Sequence, residues 1–503
     1  MITIRFALFV ALAWFGGVGF LQTAAQNPPA SPASQNQSAN PAAAPNPANQ
    51  PGLASAARAQ PRPPFEFLDG DRVVLLGDTL IEREQLYGYV ETRLLARYPD
   101  RKIIFRNLGW SADTPLGQSR MSFDWPKPEE EWLKQLLAQV AAVKPTVAII
   151  GYGMASSFAG EAGLAKFKAD LTKLIDGIQA QSKGKPVRCI LLSPIRHEPL
   201  PPPLPNPAKH NAVLALYTKA IQEIAEAGGH HFISLFELLP DGTKTDPPVP
   251  LTDHGIHLNP VGYWTLAETI EQGLGWIPTS WRLGLMRDGQ PRRGSQFIKV
   301  EDAVKTDTSI RFKATTDFLE HLMAPGDDSM IPRRTPPNLL QFVGIKPGTY
   351  VLRIDGHALV GFDQSDWARG QRISGGPPQA RAERLRQTVI QKNELFFHRW
   401  RPQNQTYLFG FRKYEQGQNA REIPMFDPLI EEQEAKIAEL VKPVKHTYEL
   451  LTPEEAAAAP PPAPARPESA PKTEAAARPA ATPAQPSAPA RTVEGVGQRS
   501  KFP

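Results

Sequence analysis

The sequence predicts an α/β fold, a five-stranded parallel sheet covered by helices on both faces, followed by a smaller β-rich and helical region. Three observations predict it. Five short β-branched runs alternate with amphipathic stretches between residues 64 and 276. After Trp276-Ile277-Pro278 that alternation stops, and short runs separated by turn dipeptides take over. Both ends of the chain are rich in Pro and Ala and poor in side chains able to build a core. Strand-helix alternation builds a parallel sheet because each crossover helix must pack back onto the strands it joins.

The strands are expected at Arg72–Leu76, Lys102–Asn107, Thr146–Ile150, Arg188–Leu192 and His231–Leu235. Helices are expected at Arg83–Ala96, Glu129–Val143, Leu164–Gln181, Asn211–Glu226 and Pro260–Glu271. In Asn211–Glu226 the apolar positions Leu214, Tyr217, Ile221 and Ile224 recur at spacings of three and four, which is one buried helix face. In residues 277–451 further strands are expected at Gln296–Val300, Thr308–Lys313, Leu339–Gly344 and Thr349–Ile354. Two amphipathic helices, Gln379–Phe397 and Ile430–Leu440, are expected to dock on the α/β part. The tract from Asn393 to Tyr407 mixes aromatic and planar polar side chains, which suits a sugar or, preferably, an interface between the two parts.

Composition narrows the functional classes. The chain has 503 residues, of which 53 are Pro, about three typical domains in length, so two folded units plus non-globular segments is the natural organisation. The net charge is +5 without a dense Lys/Arg run, which argues against a nucleic-acid partner. A single cysteine, Cys189, excludes an internal disulfide and a Cys-rich zinc knuckle. Residues 1–25 carry Arg5, an apolar run and small residues near Thr23-Ala24-Ala25, the pattern of a secretory signal peptide. An uncleaved anchor is the competing reading, but two glycines interrupt the run. Export, periplasmic or secreted, with no stable membrane span after cleavage, is the expectation. Residues 26–63 form a Pro/Ala/Asn/Gln-rich spacer and 452–503 an Ala/Pro-rich tail, both expected to be disordered. The Glu454-Glu455-Ala run is expected to prolong a preceding helix briefly.

In a parallel α/β sheet, sites form at the carboxyl ends of the strands. Those ends carry Gly77-Asp78-Thr79-Leu80, Asn107-Leu108-Gly109-Trp110-Ser111, Gly151-Tyr152-Gly153-Met154 and Ser193-Pro194-Ile195-Arg196-His197-Glu198. Ahead of the last helix stands Thr252-Asp253-His254-Gly255-Ile256-His257-Leu258-Asn259-Pro260. Taken singly these are weak signals: Gly77 and Gly109 read equally well as turn glycines, and Thr79 or Asp78 as a helix cap.

Taken in order, the blocks over residues 64–276 resemble the SGNH hydrolases, also called GDSL esterases and lipases, whose domain is a flavodoxin-like three-layer α/β fold. The resemblance implies Thr79 in the place of the serine nucleophile, His257 as general base and Gly109 as an oxyanion-hole amide. It also implies a third block at Gly153, with Ala155 where the family has an oxyanion-hole asparagine. The family's acid stands three residues before the histidine; His254 holds that position, so Asp253, four before, is the expected orienting acid. Asp78, His197 and Glu198 are expected to line the substrate cleft. His254, His257 and Asp253 are also ordinary zinc donors, but a metal-free triad is favoured and no cofactor is expected. The resemblance implies hydrolysis of small acyl esters or acylated glycans. Thr79 for Ser and Ala155 for Asn leave open a degenerate protein that binds glycan or envelope material without turnover, and the two spacers an exported scaffold.

Overall fold

A computed structural model describes residues 63–120, 128–182, 184–239, 249–277, 279–326, 335–402, 408, 410, 412–415 and 419–460. The expected signal peptide, nearly all of the 26–63 spacer, Gln403–Tyr407 and the tail beyond Pro460 lie outside the described residues. Strands β1 (Arg72–Gly77), β2 (Ile104–Asn107), β3 (Val147–Gly151), β4 (Arg188–Leu192) and β5 (His231–Ile233) form one parallel sheet in the order β2-β1-β3-β4-β5. Strand order reverses between β1 and β3, which opens a crevice beyond their carboxyl ends.

Helices α1 (Thr79–Tyr87), α2 (Tyr89–Ala96), α3 (Glu129–Val143), α4 (Met154–Ser157), α5 (Leu164–Ala180), α6 (Ala208–Ala227) and α7 (Pro260–Gly273) cover the sheet. Successive strand side chains point to opposite faces, so each strand feeds two cores. Val73, Leu75, Ile149 and Leu192 pack with Leu94 of α2 and Leu266 and Ile270 of α7. Val74, Leu76, Ile150 and Leu191 pack with Leu136 of α3, Leu171 and Leu174 of α5, and Tyr217 and Ile221 of α6. The three-layer α/β architecture is thus the one the alternation predicts.

The single helix expected over Arg83–Ala96 is broken into α1 and α2 at Gly88, whose φ of 64° is left-handed. The break is held by Glu84, whose Oε1 accepts from the amides of Val90 and Glu91 at the start of α2 (2.8 and 3.4 Å). Glu84 is buried and its Oε2 has no hydrogen-bond partner, so burial pushes its carboxyl up to about 8.

The chain beyond α7 builds two further sheets. Strands β6 (Arg282–Met286), β7 (Ile298–Lys305), β8 (Ile310–Thr316), β9 (Leu339–Val343), β10 (Thr349–Ile354), β11 (His357–Asp363), β12 (Gln371–Arg372) and β13 (His446–Leu451) pair as β11-β10-β13-β8-β7 and β12-β9-β6. Short α8 (Gln364–Arg369) follows β11, and the long α9 (Gly376–Trp400) and α10 (Phe426–Leu440) pack together and against the first part. Lys392 of α9 buries its ammonium on Glu91 of α2 at 2.6 Å and on the Phe105 carbonyl at 3.2 Å, while Asn393 donates to the other Glu91 oxygen at 3.0 Å. Asn393, Phe396 and Trp400 therefore belong to this junction. Thr452 does not prolong a helix; it caps a new one, α11 (Pro453–Ala458), through a reciprocal box with Glu455, and what precedes it is β13. Among the described residues no helix is long and apolar enough to cross a membrane.

Glu84 gives the fold a pH signature. The folded state holds this proton up to about 8 whereas an unfolded glutamate releases it near its ordinary 4.5, so folding stability decreases as pH rises across that window. Thermal melts between pH 5 and pH 8 are expected to show a falling midpoint, and Glu84→Gln to flatten the fall.

Candidate active site

The first strand-end turn is shaped by closeness. A Cβ on Gly77 would lie 2.2 Å from the Gly151 carbonyl oxygen and 2.5 Å from Ile81 Cγ1, so the ends of β1 and β3 meet where no side chain fits. Asp78 donates its amide to that same Gly151 oxygen (3.1 Å) and caps α1, with Oδ1 accepting from the Leu80 amide at 3.3 Å. Its Oδ2 accepts from the Ala155 amide at 3.5 Å. Burial pushes this carboxyl up to about 7 against those amides. Thr79, the first residue of α1, faces a cavity of about 250 Å³ and accepts a hydrogen bond on Oγ1 from the Ala112 amide at 3.0 Å.

Gly109 does not supply that amide. Its N–H donates to Asn107 Oδ1 at 2.8 Å, and Asn107 in turn donates to the Ile81 carbonyl at 2.7 Å. Glycine is required there because a Cβ would stand 2.3 Å from the Glu82 nitrogen, so the residue lets α1 approach the loop. The available donor is Ala112, held at a φ of 56°. Its carbonyl accepts from Ser119 Oγ at 2.8 Å, and Asp113 Oδ1 accepts from the Ser119 amide at 3.1 Å. Beneath lies a solvent-free pair: Arg120 donates to Asp113 at 2.7 Å and to the Leu108 carbonyl at 2.8 Å, with the Tyr152 hydroxyl 3.3 Å from Asp113. Breaking such a pair leaves an uncompensated buried charge, which fixes the loop geometry.

At the third strand end Gly153 has a φ of 133°, and a Cβ there would press on Pro194 at 3.2 Å. The turn starts α4 and places Ala155 on the cavity wall, a methyl where a side-chain donor is expected. Neither following serine replaces it. Ser157 Oγ donates to the Met154 carbonyl at 2.7 Å and lies 2.8 Å from His210 Nε2, and Ser156 is not among the cavity-lining residues.

His257 lines the same cavity as Thr79. Its Nδ1 stands 2.9 Å from Nε2 of His254, the rings crossing at 75°. Among the described residues Asp253 makes no hydrogen bond to the ring: its half-exposed carboxylate pairs with Arg83 at 3.2 Å, and its amide donates to the His257 carbonyl at 2.9 Å. The residue four before the histidine points outward across a tight Thr252–Leu258 bridge, while the one three before faces the imidazole. Burial, then the neighbouring His254 and Arg83, hold His257 below the usual histidine range, with Asp253 opposing. A neutral imidazole at neutral pH is the form able to take a proton. Among the described residues no hydrogen bond joins Thr79 to His257; they meet across the cavity.

His197 and Glu198 do not line this cavity. Glu198 is buried beneath the last loop, where Oε1 accepts from the Leu251 amide (3.0 Å) and Oε2 from the Thr252 amide (2.9 Å) and hydroxyl. His197 packs its Nδ1 3.2 Å from His210 Nδ1. Among the described residues no group of three or more His, Cys, Asp or Glu is arranged to hold a metal ion.

Residues 75–265 match the family model described as GDSL-like Lipase/Acylhydrolase. This segment belongs to that family. A gut microbial diltiazem-metabolizing enzyme has the same fold over 77% of this chain and 98% of its own, with a TM-score of 0.61 and 16% identity. The match therefore extends beyond the GDSL-like segment into the C-terminal region. The acetylxylan esterase Axe2 from Geobacillus stearothermophilus covers 42% of this chain and 96% of its own at 19% identity and a TM-score of 0.33. An alpha/beta hydrolase enzyme from the metagenome of Lake Arreo, Spain, covers 42% and 97% at 19% identity and a TM-score of 0.31. No curated protein matches the sequence.

Within the GDSL-like segment, the structure gives three residues positions that sequence reasoning did not. Ala112 stands in Ser111-Ala112-Asp113-Thr114 with no glycine to flag its left-handed turn. His254 holds the position of the family's acid, and its imidazole, not a carboxylate, meets the His257 ring. The structural part of Glu198 shows only once its three donors converge. Removing it orphans them: Glu198→Ala is expected to lower the melting midpoint, with Glu198→Gln intermediate. Melting curves of the two variants beside the native protein check this.

Proposed function

We propose that the chain hydrolyses oxygen esters with Thr79 as nucleophile and His257 as base. The supporting observation is that Thr79, His257 and the amide of Ala112, far apart in sequence, border one cavity at the strand-order reversal. Thr79 Oγ1 attacks the acyl carbon and gives its proton to His257 Nε2. The oxyanion forms beside the Ala112 N–H and the positive end of α1. Collapse expels the alcohol, which takes the proton from His257, and water repeats the cycle in reverse to free the acid. The threonine methyl restricts the rotamer and crowds the acyl intermediate, which makes for slow turnover.

The cavity is small and its walls include Met154, Phe158, Pro194, Ile195 and Ile256, so it accepts a short acyl group. The alcohol then lies toward the exposed His254 loop, where a bulky hydroxylic alcohol such as a sugar has room. Acyl esters of carbohydrate are the substrate class this reading favours. The apolar run in residues 1–25 supports action outside the cytoplasm.

The methyl of Ala155 favours a second reading, a protein that keeps the fold and binds without turnover. Hydrolysis of p-nitrophenyl acetate separates the two. Thr79→Ala and His257→Ala are expected at background, Thr79→Ser above the native protein, and Ala155→Asn about 10- to 100-fold higher in kcat through an added oxyanion donor. A native rate equal to that of Thr79→Ala leaves only the binding reading.

A further inference from the structure

Within the hydrolase reading, on which this inference rests, the base lacks the partner such bases usually have. For His257 Nε2 to accept a proton, its Nδ1 must carry hydrogen and donate it. The group receiving that bond is His254 Nε2 at 2.9 Å. Among the described residues no carboxylate is hydrogen-bonded to either ring. The nearby acids are committed elsewhere: Asp253 to Arg83, and Glu198 to the amides of Leu251 and Thr252 and to the Thr252 hydroxyl.

We propose that His254 is the positioning residue of this site, a neutral imidazole standing where a carboxylate would orient the base. It fixes the His257 tautomer through a lone pair, and so must carry its own proton on Nδ1. Unlike a carboxylate it brings no negative charge to the imidazolium that forms as Thr79 loses its proton.

Basic side chains stand around the pair. Arg83 of α1, paired with Asp253, acts on the His257 ring from one side. From the other, beyond β4, comes His197, whose Nε2 lies where a Cβ on Gly255 would meet it at 2.6 Å. Gly255, with a φ of 101°, is what lets the two histidine-bearing loops close together. His197 is backed by His210 of α6, which reaches Ser157 of α4. Asp253 and Glu198 are the acids beside the pair, and Asp78 of the β1–α1 turn, pushed up to about 7 by burial, stands across the cavity. A proton added to either His254 or His257 removes the lone pair the base needs, so activity is lost on acidification.

The test is the pH profile of kcat/KM for p-nitrophenyl acetate between pH 5 and 9, with melting curves to verify folding. His254→Asp is expected to raise the plateau rate and to move the acid limb about one unit or more to higher pH, because a carboxylate beside His257 favours its charged form. His254→Asn, an acceptor without charge, is expected to keep measurable activity without that upward move. His254→Ala is expected to lose about 10²- to 10⁴-fold, the scale of a wrong tautomer. A folded His254→Ala within twofold of the native rate, or a His254→Asp acid limb that does not move, overturns the assignment while leaving hydrolysis intact. Equal rates for Thr79→Ala and the native protein instead overturn the hydrolase reading, and this one with it.

Discussion

The site depends on one buried carboxylate. Asp78 accepts from the Leu80 amide at the start of α1 and from the Ala155 amide in α4, while its own amide holds the end of β3. The turn that presents Thr79 and the turn that walls the cavity are thereby tied to one side chain. This is possible only because Gly77 and Gly109 carry no Cβ, which brings β1, β3, α1 and the loop after β2 to near contact. The amides stabilise the charged carboxylate and burial opposes it, so Asp78 sits near 7. It organises the turn, and in the proposed mechanism the reacting oxygen belongs to its neighbour.

A second constraint acts from behind the sheet. Helix α9 fixes α2 and β2 through Lys392 and Glu91, charges that would be costly to bury singly and are offset by mutual pairing, with the Asn393 amide donating to Glu91. At the far end of α9, Arg401 lies 3.3 Å over the ring of Trp110 and pairs with Glu82 of α1, which also accepts from Ser111. Trp110 and Ser111 lead directly into Ala112. The C-terminal region therefore braces the loop that carries the donor amide. That role agrees with its elements packing on the α/β layers through buried polar contacts.

Much of the α/β part was legible because its signals are local. β4 and α3 fall on their expected bounds, and the other strands within about two residues, since β-branched runs and helical spacing act over a few residues. The break at Gly88 was not, because a cap donated by Glu84 from the previous helix overrides a continuous apolar pattern. β13 was missed for a related reason: it is the middle strand of its sheet, yet it pairs with β8 and β10 from far away in the chain. At the site, residue types were readable and orientations were not. Thr79, His257 and Ala155 do border the cavity, whereas Gly109 spends its amide on Asn107 and Asp253 turns to Arg83. Which way an amide or a carboxylate faces is set by partners far away in sequence, and no spacing rule encodes it.

The central claim is that the Thr79 hydroxyl is the atom that becomes acylated. Incubation with an activated fluorophosphonate followed by peptide mass spectrometry tests it most directly. The account predicts a covalent phosphonyl group on the peptide containing Thr79, absent from Thr79→Ala and strongly slowed in His257→Ala. Labelling at another residue, or labelling of Thr79→Ala at the native rate, would contradict it.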